Sequence, residues 1–409
     1  MSPRPAAGRI SSPRSNLFRR LALRALLGAL PLLMGCASPR PLGPPRTVAA
    51  LVAEGRAQSL DLQDPFALDP TIEAVADREI GRSGSPHERL KRIIRYLTDH
   101  VGLAFRYRSN LTLTARQAFE QKQGNCLAYT NLIVAIARYL GVPAYFIHVQ
   151  EPGGFYEKDG LYYVASHMAV GYGGPDPGSQ SISPEMTVVD LNSEVTDWAP
   201  WMYEPIDDVT AFGLFYNNIA VARMEEGDFP YAEKLMRFLI RADPRLKEVY
   251  NNLGVLYNRS GRYRSALRLF QDALRRFPTY QPLYPNAVDA ANGAGDFALV
   301  RRLQAREVAL RRKDPLLSFS LGLDRFRARD YSAAAEDFRR AIRSEPPSPI
   351  LYAWLCRALL SEGQIARGRS AYAKAQELDP TLKALAILRR QFPVLATPVS
   401  PTAGNTPNF

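Results

Sequence analysis

Apolar residues fall on one side of residues 86–100. Leu90, Ile93, Ile94 and Leu97 recur at helical spacing while Arg and Lys fill the other side. The pattern predicts an amphipathic helix there. Residues 47–56 and 70–80 predict two earlier helices, and 111–122 a later one entered through Thr114. Residues 125–140 differ, because Leu127, Ala128, Leu132, Ile133, Val134, Ala135, Ile136, Ala137 and Leu140 cover nearly every face. A helix apolar all round belongs inside a core. Asn125 caps its start, and Gly141 and Pro143 stop it. Segments 145–150, 161–172 and 187–192 then read as strands, mostly covered on both faces. Residues 173–184, rich in Gly, Pro and Ser, read as a loop between the last two.

From about residue 213 the period lengthens. Pro244, Pro278, Pro315, Pro346 and Pro380 recur at spacings of 34, 37, 31 and 34. The unit is clearest where Tyr250, Leu253, Gly254, Tyr257, Gly261, Tyr263, Ala266, Phe270, Ala273 and Pro278 follow in order. Small residues such as Gly254 and Ala266 let paired helices approach, and large ones fill the gaps between neighbours. The same positions return as Gly227, Ala232 and Pro244, as Gly322, Tyr331, Ala334, Phe338, Ala341 and Pro346, and as Tyr352, Leu355, Cys356, Gly363, Tyr372, Ala375 and Pro380. This resembles the tetratricopeptide repeat. The unit at 281–315 is weaker and longer. About five repeats over 211–385 are expected, enough to share a continuous core. Such arrays bind peptides or proteins, so the resemblance implies a protein or peptide partner. Residues 386–409 are expected to be a disordered tail.

Length and charge refine this outline. A chain of 409 residues exceeds one ordinary core, so two domains are expected. Residues 211–385 hold 29 Lys and Arg against 19 Asp and Glu, which points to an acidic partner or to a solvated Arg-rich face. No nucleic-acid recognition motif accompanies the excess, and no nucleic-acid partner is expected. The first 35 residues carry six arginines and no acid, so their removal lowers the formal charge from +12 to +6. Arg19, Arg20 and Arg24 precede an apolar run, 25–34, too short to span a bilayer. The tetrapeptide Leu33-Met34-Gly35-Cys36 that follows resembles a bacterial lipobox. That resemblance implies removal of residues 1–35, diacylation of Cys36, and a lipid-anchored protein of the cell envelope. Ala37 after the Cys implies sorting to the outer membrane, facing the periplasm. Residues 36–46, Pro-rich, read as a tether.

Three cysteines are present. Cys36 is the lipidation candidate, and Cys356 sits where a helical repeat wants a small residue. Cys126 is left as a candidate nucleophile, with an inert buried thiol as the plain alternative. At the first turn of a buried helix it meets the positive end of the helix dipole and free N–H groups, which favour thiolate and can hold an oxyanion. Among the four histidines, His87 and His100 accompany a charged helix. His167 shares a strand face with the small residues Ala169 and Gly171, leaving room for substrate, and is preferred as base over His148. Asp190, after three strand-forming residues, is the candidate to orient the imidazole, with Asn192 as runner-up. Gln123 or Tyr107 is a candidate second oxyanion donor.

These residues lie in a segment, 86–192, that resembles the transglutaminase-like core of the papain-like cysteine enzyme superfamily. Thr114-Ala115, Gly124-Asn125-Cys126, the apolar helix, Gly141-Val142-Pro143-Ala144, His167 and Asp190 carry the likeness. It implies an α+β domain over 47–210 with Cys126 as nucleophile, His167 as base and Asp190 as orienting acid. The departures are Tyr145 in place of a frequent Arg, Met168 in place of a frequent aromatic, and Asn125 in place of the commoner Asp. The expected activity is hydrolysis of a peptide or amide bond without a cofactor or metal. The alternatives are a catalytically silent binding module acting as an envelope scaffold, and a protein cross-linking transglutaminase.

Overall fold

Capping side chains decide where the N-terminal helices begin. The computed structural model describes residues 46–99, 102–149, 155–158, 161–164, 167–173, 187–189, 203–344 and 348–396. The expected signal segment, Cys36, nearly all of the tether, His100, Asp190 and Asn192 lie outside these residues. Thr47 caps α1 (Val48–Ala57), and Asp69 caps α2 (Pro70–Val75), which runs on into a π turn over Ala76–Ile80. Ser85 and Glu88 form a reciprocal capping box on α3 (Pro86–Thr98). Thr114 and Gln117 form another on α4 (Ala115–Gln121), so the segment predicted from 111 becomes helical only after its cap. Each such cap contributes about 1 kcal/mol. Asn125 caps α5 (Cys126–Tyr139), whose residues are buried from Cys126 to Ala137.

The strands form one main sheet and two small pairs. β1 (Arg106–Tyr107) runs parallel to β2 (Gln123–Gly124). The main sheet is antiparallel, in the order β7 (Thr187–Val189), β6 (His167–Tyr172), β3 (Ala144–Val149), β8 (Tyr203–Ile206). The single strand predicted over 161–172 is two elements. β5 (Leu161–Val164) turns back on β4 (Phe155–Lys158) as a hairpin, and only β6 joins the main sheet. β8 was not predicted because Pro205 interrupts its pattern. An edge position tolerates that Pro, since one side of the strand has no ladder to complete.

Eleven helices follow among the described residues. They pair as α6 (Asp208–Glu225) with α7 (Phe229–Ala242), α8 (Lys247–Arg259) with α9 (Tyr263–Arg276), and α10 (Leu283–Gly293) with α11 (Phe297–Arg311). Two more pairs are α12 (Pro315–Arg327) with α13 (Tyr331–Ser344) and α14 (Pro349–Ser361) with α15 (Ile365–Leu378). The turn inside each pair needs a left-handed residue, supplied by Gly227, Gly261, Gly295, Arg329 and Gly363. A Cβ on Gly254 would strike the Phe270 ring, and one on Gly322 the Phe338 ring, so these glycines set the helix spacing. The last helix, α16 (Lys383–Gln391), packs on α14 and α15, and a 3₁₀ turn follows at Pro393–Leu395. The expectation of a disordered tail is corrected for 386–391, which belong to this helix, with Leu388 buried; 397–409 lie outside the described residues.

The core is not divided where the chain changes period. One cluster of buried apolar residues runs from Leu51 through α5, the main sheet and α6 to Leu303, and a second runs from Phe319 to Leu388. Among the described residues, the continuous solenoid core expected from five repeats thus falls into two clusters, divided between the third and fourth. The sequence of α11 explains the break. The eighth residue of the second helix is Phe270, Phe338 or Tyr372 in neighbouring repeats, but Gln304 in α11, and only Val300 and Leu303 of that helix are buried. The first repeats meanwhile fuse with the preceding domain. Arg138, at the end of α5, donates to both carboxylate oxygens of Asp208 at 2.9 Å and to the carbonyl of Ala144 at 2.9 Å. The Tyr216 hydroxyl accepts from the N–H of Gln63 at 2.6 Å and donates to its carbonyl at 2.9 Å.

A buried amide ladder links the first helices of three repeats. Asn252 Nδ2 donates to Asn217 Oδ1 at 3.0 Å, Asn251 Nδ2 to Asn252 Oδ1 at 3.2 Å, and Asn286 Nδ2 to Asn251 Oδ1 at 2.9 Å. Buried amides require such partners. Replacing Asn252 by Ala removes the partner of Asn217 Oδ1 and one partner of the Asn251 amide. Urea unfolding is expected to register a loss of about 1–3 kcal/mol. A loss indistinguishable from zero would show that the ladder carries no net stability.

Candidate active site

Cys126 owes its position to the loop before it. The Asn125 side chain accepts from the Ala128 N–H at 3.1 Å and donates to Thr112 Oγ1 at 2.7 Å, while its own N–H reaches the Leu111 carbonyl at 2.8 Å. Three bonds thus hold the residue that starts α5. Gly124, just before, lies against Ala128, and a Cβ there would come within 2.5 Å of the Ala128 Cβ. Tyr107 stands opposite Gly124 in the β1–β2 register and is exposed, while Gln123 is half-buried. Both candidate oxyanion donors therefore flank the entry to α5. The phenol of Tyr129 is buried beside Phe105, their ring centroids 5.2 Å apart, and burial raises its pKa so that it keeps its proton.

The base candidate begins the neighbouring strand. α5 packs on β6 and β3, and the Thr130 hydroxyl donates to the carbonyl of Met168 at 3.0 Å. Thr130 lies one helical turn past Cys126, and Met168 follows His167 directly. This single buried bond therefore places the first turn of α5 beside the first residues of β6. Among the described residues, β7 pairs with residues 170–172 of β6. A Thr inside a helix often bonds back to the carbonyl four residues earlier, here that of Cys126. Its use across to β6 is a packing decision that the apolar pattern of α5 concealed. Cys126 is 9% exposed and His167 8%, so the two sit at the rim of the core rather than in open solvent.

The other sequence candidates are placed as follows. Asp190 and its runner-up Asn192 are outside the described residues. β7 ends at Val189, and it pairs Val189 with Val170, on the strand that carries His167. His148 lies on β3 with its Nδ1 3.9 Å from Glu204 and its Nε2 3.9 Å from the buried Glu248 of α8. It belongs to the contact between sheet and solenoid. The room expected beside Ala169 and Gly171 is partly taken: the Tyr145 ring covers Gly171 so closely that a Cβ would strike it, and the Tyr145 hydroxyl donates to the Gly173 carbonyl at 2.7 Å. Cys356 is enclosed in α14, and burial pushes its thiol up to about 12, which leaves it inert at neutral pH. Among the described residues no group of three His, Cys, Asp or Glu side chains could hold a metal ion.

The family model of the transglutaminase-like superfamily matches residues 73–172. That of the tetratricopeptide repeat matches 217–280, 257–313 and 319–383. The gap between the last two matches coincides with the break between the hydrophobic clusters. A search of curated proteins finds no match. Solved structures that resemble the chain include a MamA protein, with 18% identity, 46% of this chain and 98% of that one covered and a TM-score of 0.23. A second is pilF of Pseudomonas aeruginosa, with 14% identity, 45% and 87% covered and a TM-score of 0.24. A third is a thermophilic tetratricopeptide protein of Thermus thermophilus, with 19% identity, 45% and 100% covered and a TM-score of 0.23.

The Thr130–Met168 bond can be tested without a known substrate. Thr130→Val keeps the shape and removes the hydroxyl. It is expected to slow iodoacetamide alkylation of Cys126 at about pH 6 several-fold, with Thr130→Ser restoring the rate. Unchanged alkylation in the Val variant would show that the bond does not govern the Cys126 environment.

Proposed function

From a chain that carries a transglutaminase-like domain followed by tetratricopeptide repeats, we propose a thiol acyl-transfer enzyme joined to a protein-binding solenoid. Cys126 is the nucleophile, His167 the base and Asp190 the orienting acid. The observation that carries this reading is the Thr130–Met168 bond, which fastens the first turn of α5 to the strand that begins with His167. In the reaction, His167 takes the Cys126 proton and the sulfur attacks the carbonyl carbon of a peptide or amide. The N–H groups of the first turn of α5 stabilise the oxyanion. The C–N bond breaks as the imidazolium protonates the leaving amine. Water, deprotonated by the imidazole, then attacks the thioester, the C–S bond breaks, and a carboxylate leaves. Accepting an amine in place of water would make the same site a cross-linking enzyme.

The repeats are interaction modules, and their excess of Lys and Arg favours an acidic partner. The lipobox-like sequence supports a location in a bacterial envelope with an anchor through Cys36, and Ala37 supports the outer membrane, facing the periplasm. A second reading, a catalytically silent binding module, draws on the small exposure of both Cys126 and His167.

Alkylation followed by peptide mass spectrometry separates the two. The enzyme reading expects iodoacetamide to modify Cys126 readily at about pH 6, to spare Cys356, and to react at least about tenfold more slowly with Cys126 after His167→Ala. Slow modification of Cys126 that ignores His167 would leave only the binding module. An amine-labelling assay distinguishes the outcomes of the acyl-enzyme: incorporation of a labelled primary amine into protein identifies a transferase, and its absence with release of free amine identifies a hydrolase.

A further inference from the structure

The first helices of the repeats present one face to possible partners, and its N-terminal part is already occupied. The β4–β5 hairpin lies on this face, with β5 packed against α8 and α10, and Leu161 is buried in the cluster they share. His148 reaches Glu248 of the same helix. Every residue of α8 from Glu248 to Asn258 is buried as a result. The chain thus fills this part of its own groove. Repeats four and five, with α16, form a separate core, and α14 packs against α16 along an open groove.

The chemistry of that groove is specific. Apolar Ile350, Trp354, Ile387 and Leu388 line it together with the polar Arg357 and Gln391, and Ile387 is 40% exposed. One cation projects from them. The guanidinium of Arg357 lies 5.0 Å from the centre of the Trp354 ring and 5.1 Å from that of Phe326. It has no carboxylate partner among the described residues, whereas Arg325 of α12 pairs with Asp337 at 2.7 Å. Neither helix flanking the groove carries an Asp or Glu. A guanidinium held between aromatic rings is oriented in advance for a carboxylate.

We propose that the α14–α16 groove binds an acidic segment of a partner protein, in which an apolar side chain rests against Trp354 and Ile387 and a flanking Asp or Glu pairs with Arg357. The proposal rests on the reading of the repeats as a partner-binding module and names where on them the partner sits. The excess of Lys and Arg on the repeats disfavours a second copy of this chain as the occupant.

The test uses the full chain with Trp198→Phe and Trp201→Phe, so that Trp354 alone reports by fluorescence. The probe is a synthetic dodecapeptide with a central Leu-Phe pair flanked by Glu and Asp. A saturable change in Trp354 emission is expected. Arg357→Gln is expected to weaken binding about tenfold or more, and Arg357→Lys less. The same peptide with Gln and Asn in place of the acids is expected to bind about tenfold more weakly. Melting temperatures of the variants check that each is folded. No saturable change, equal binding by Arg357→Gln, equal binding of the neutral peptide, or emission that varies with protein concentration as a second copy fills the groove would each overturn the proposal. Panning a random peptide library on the full chain separates this failure from that of the parent reading. Enriched peptides insensitive to Arg357→Gln would overturn the groove and leave the solenoid a partner-binding module. No enrichment at all would overturn both.

Discussion

Enclosure of α5 on every side is the constraint from which the rest of the structure follows. An α-helix that is apolar all round cannot exist at a surface, so something must cover each of its faces. The main sheet covers one, α3 and α4 pack on others, and the cluster that contains α5 continues into α6 and α8. The helix makes its polar ties at its ends and at one internal point. Asn125 caps the start, Arg138 ties the end to β3 and to α6, and Thr130 reaches across to β6. These are the places where position matters for chemistry. The cap sets Cys126, the Thr130 bond sets the strand of His167 beside it, and the Arg138 fork fastens the whole to the solenoid.

This arrangement makes the first three repeats part of the site's foundation rather than an appendage. They share buried apolar residues with α5 and receive the hairpin that leads into β6. Repeats four and five stand apart, with their own core and with an aromatic cluster of Phe319, Phe326, Phe338 and Trp354. The divide follows from one weak helix. α11 lacks the large eighth residue that fills the gap in its neighbours and leaves Phe297 63% exposed. One chain therefore combines a part in which the candidate site and the first repeats share one hydrophobic cluster and a terminal part with a cluster of its own.

Local signals were legible in the sequence and contacts between distant segments were not. Caps such as Ser85, Thr114 and Asn125 announce their helices, and the burial of α5 is written in its composition. The Gly254 and Phe270 pattern likewise identifies the repeats, because those residue types have few other uses. The strand reading over 161–172 failed because β-propensity is the same for a hairpin arm and a sheet strand. What separates them is the docking of β5 on α8 and α10, which involves residues nearly a hundred positions later. Pro205 hid β8 for the converse reason, since only the finished sheet shows that β8 is an edge. The role of Thr130 was invisible because its partner is a backbone carbonyl, which leaves no trace in side-chain patterns. The Asn217, Asn252 and Asn286 series did leave one, a polar residue repeating at the period of the helical units inside otherwise apolar faces. Asp190 and the N-terminal segment rest on the sequence alone.

The central claim is that the helix of Cys126 and the first repeats are one cooperative unit, separate from repeats four and five. Native-state hydrogen exchange measured as denaturant is raised tests it most directly. Amides of α5, α6 and α8 are expected to converge on one opening free energy, and those of α13 and α14 on another. Opening of α5 independently of α8, or a single isotherm joining α8 with α14, would contradict it.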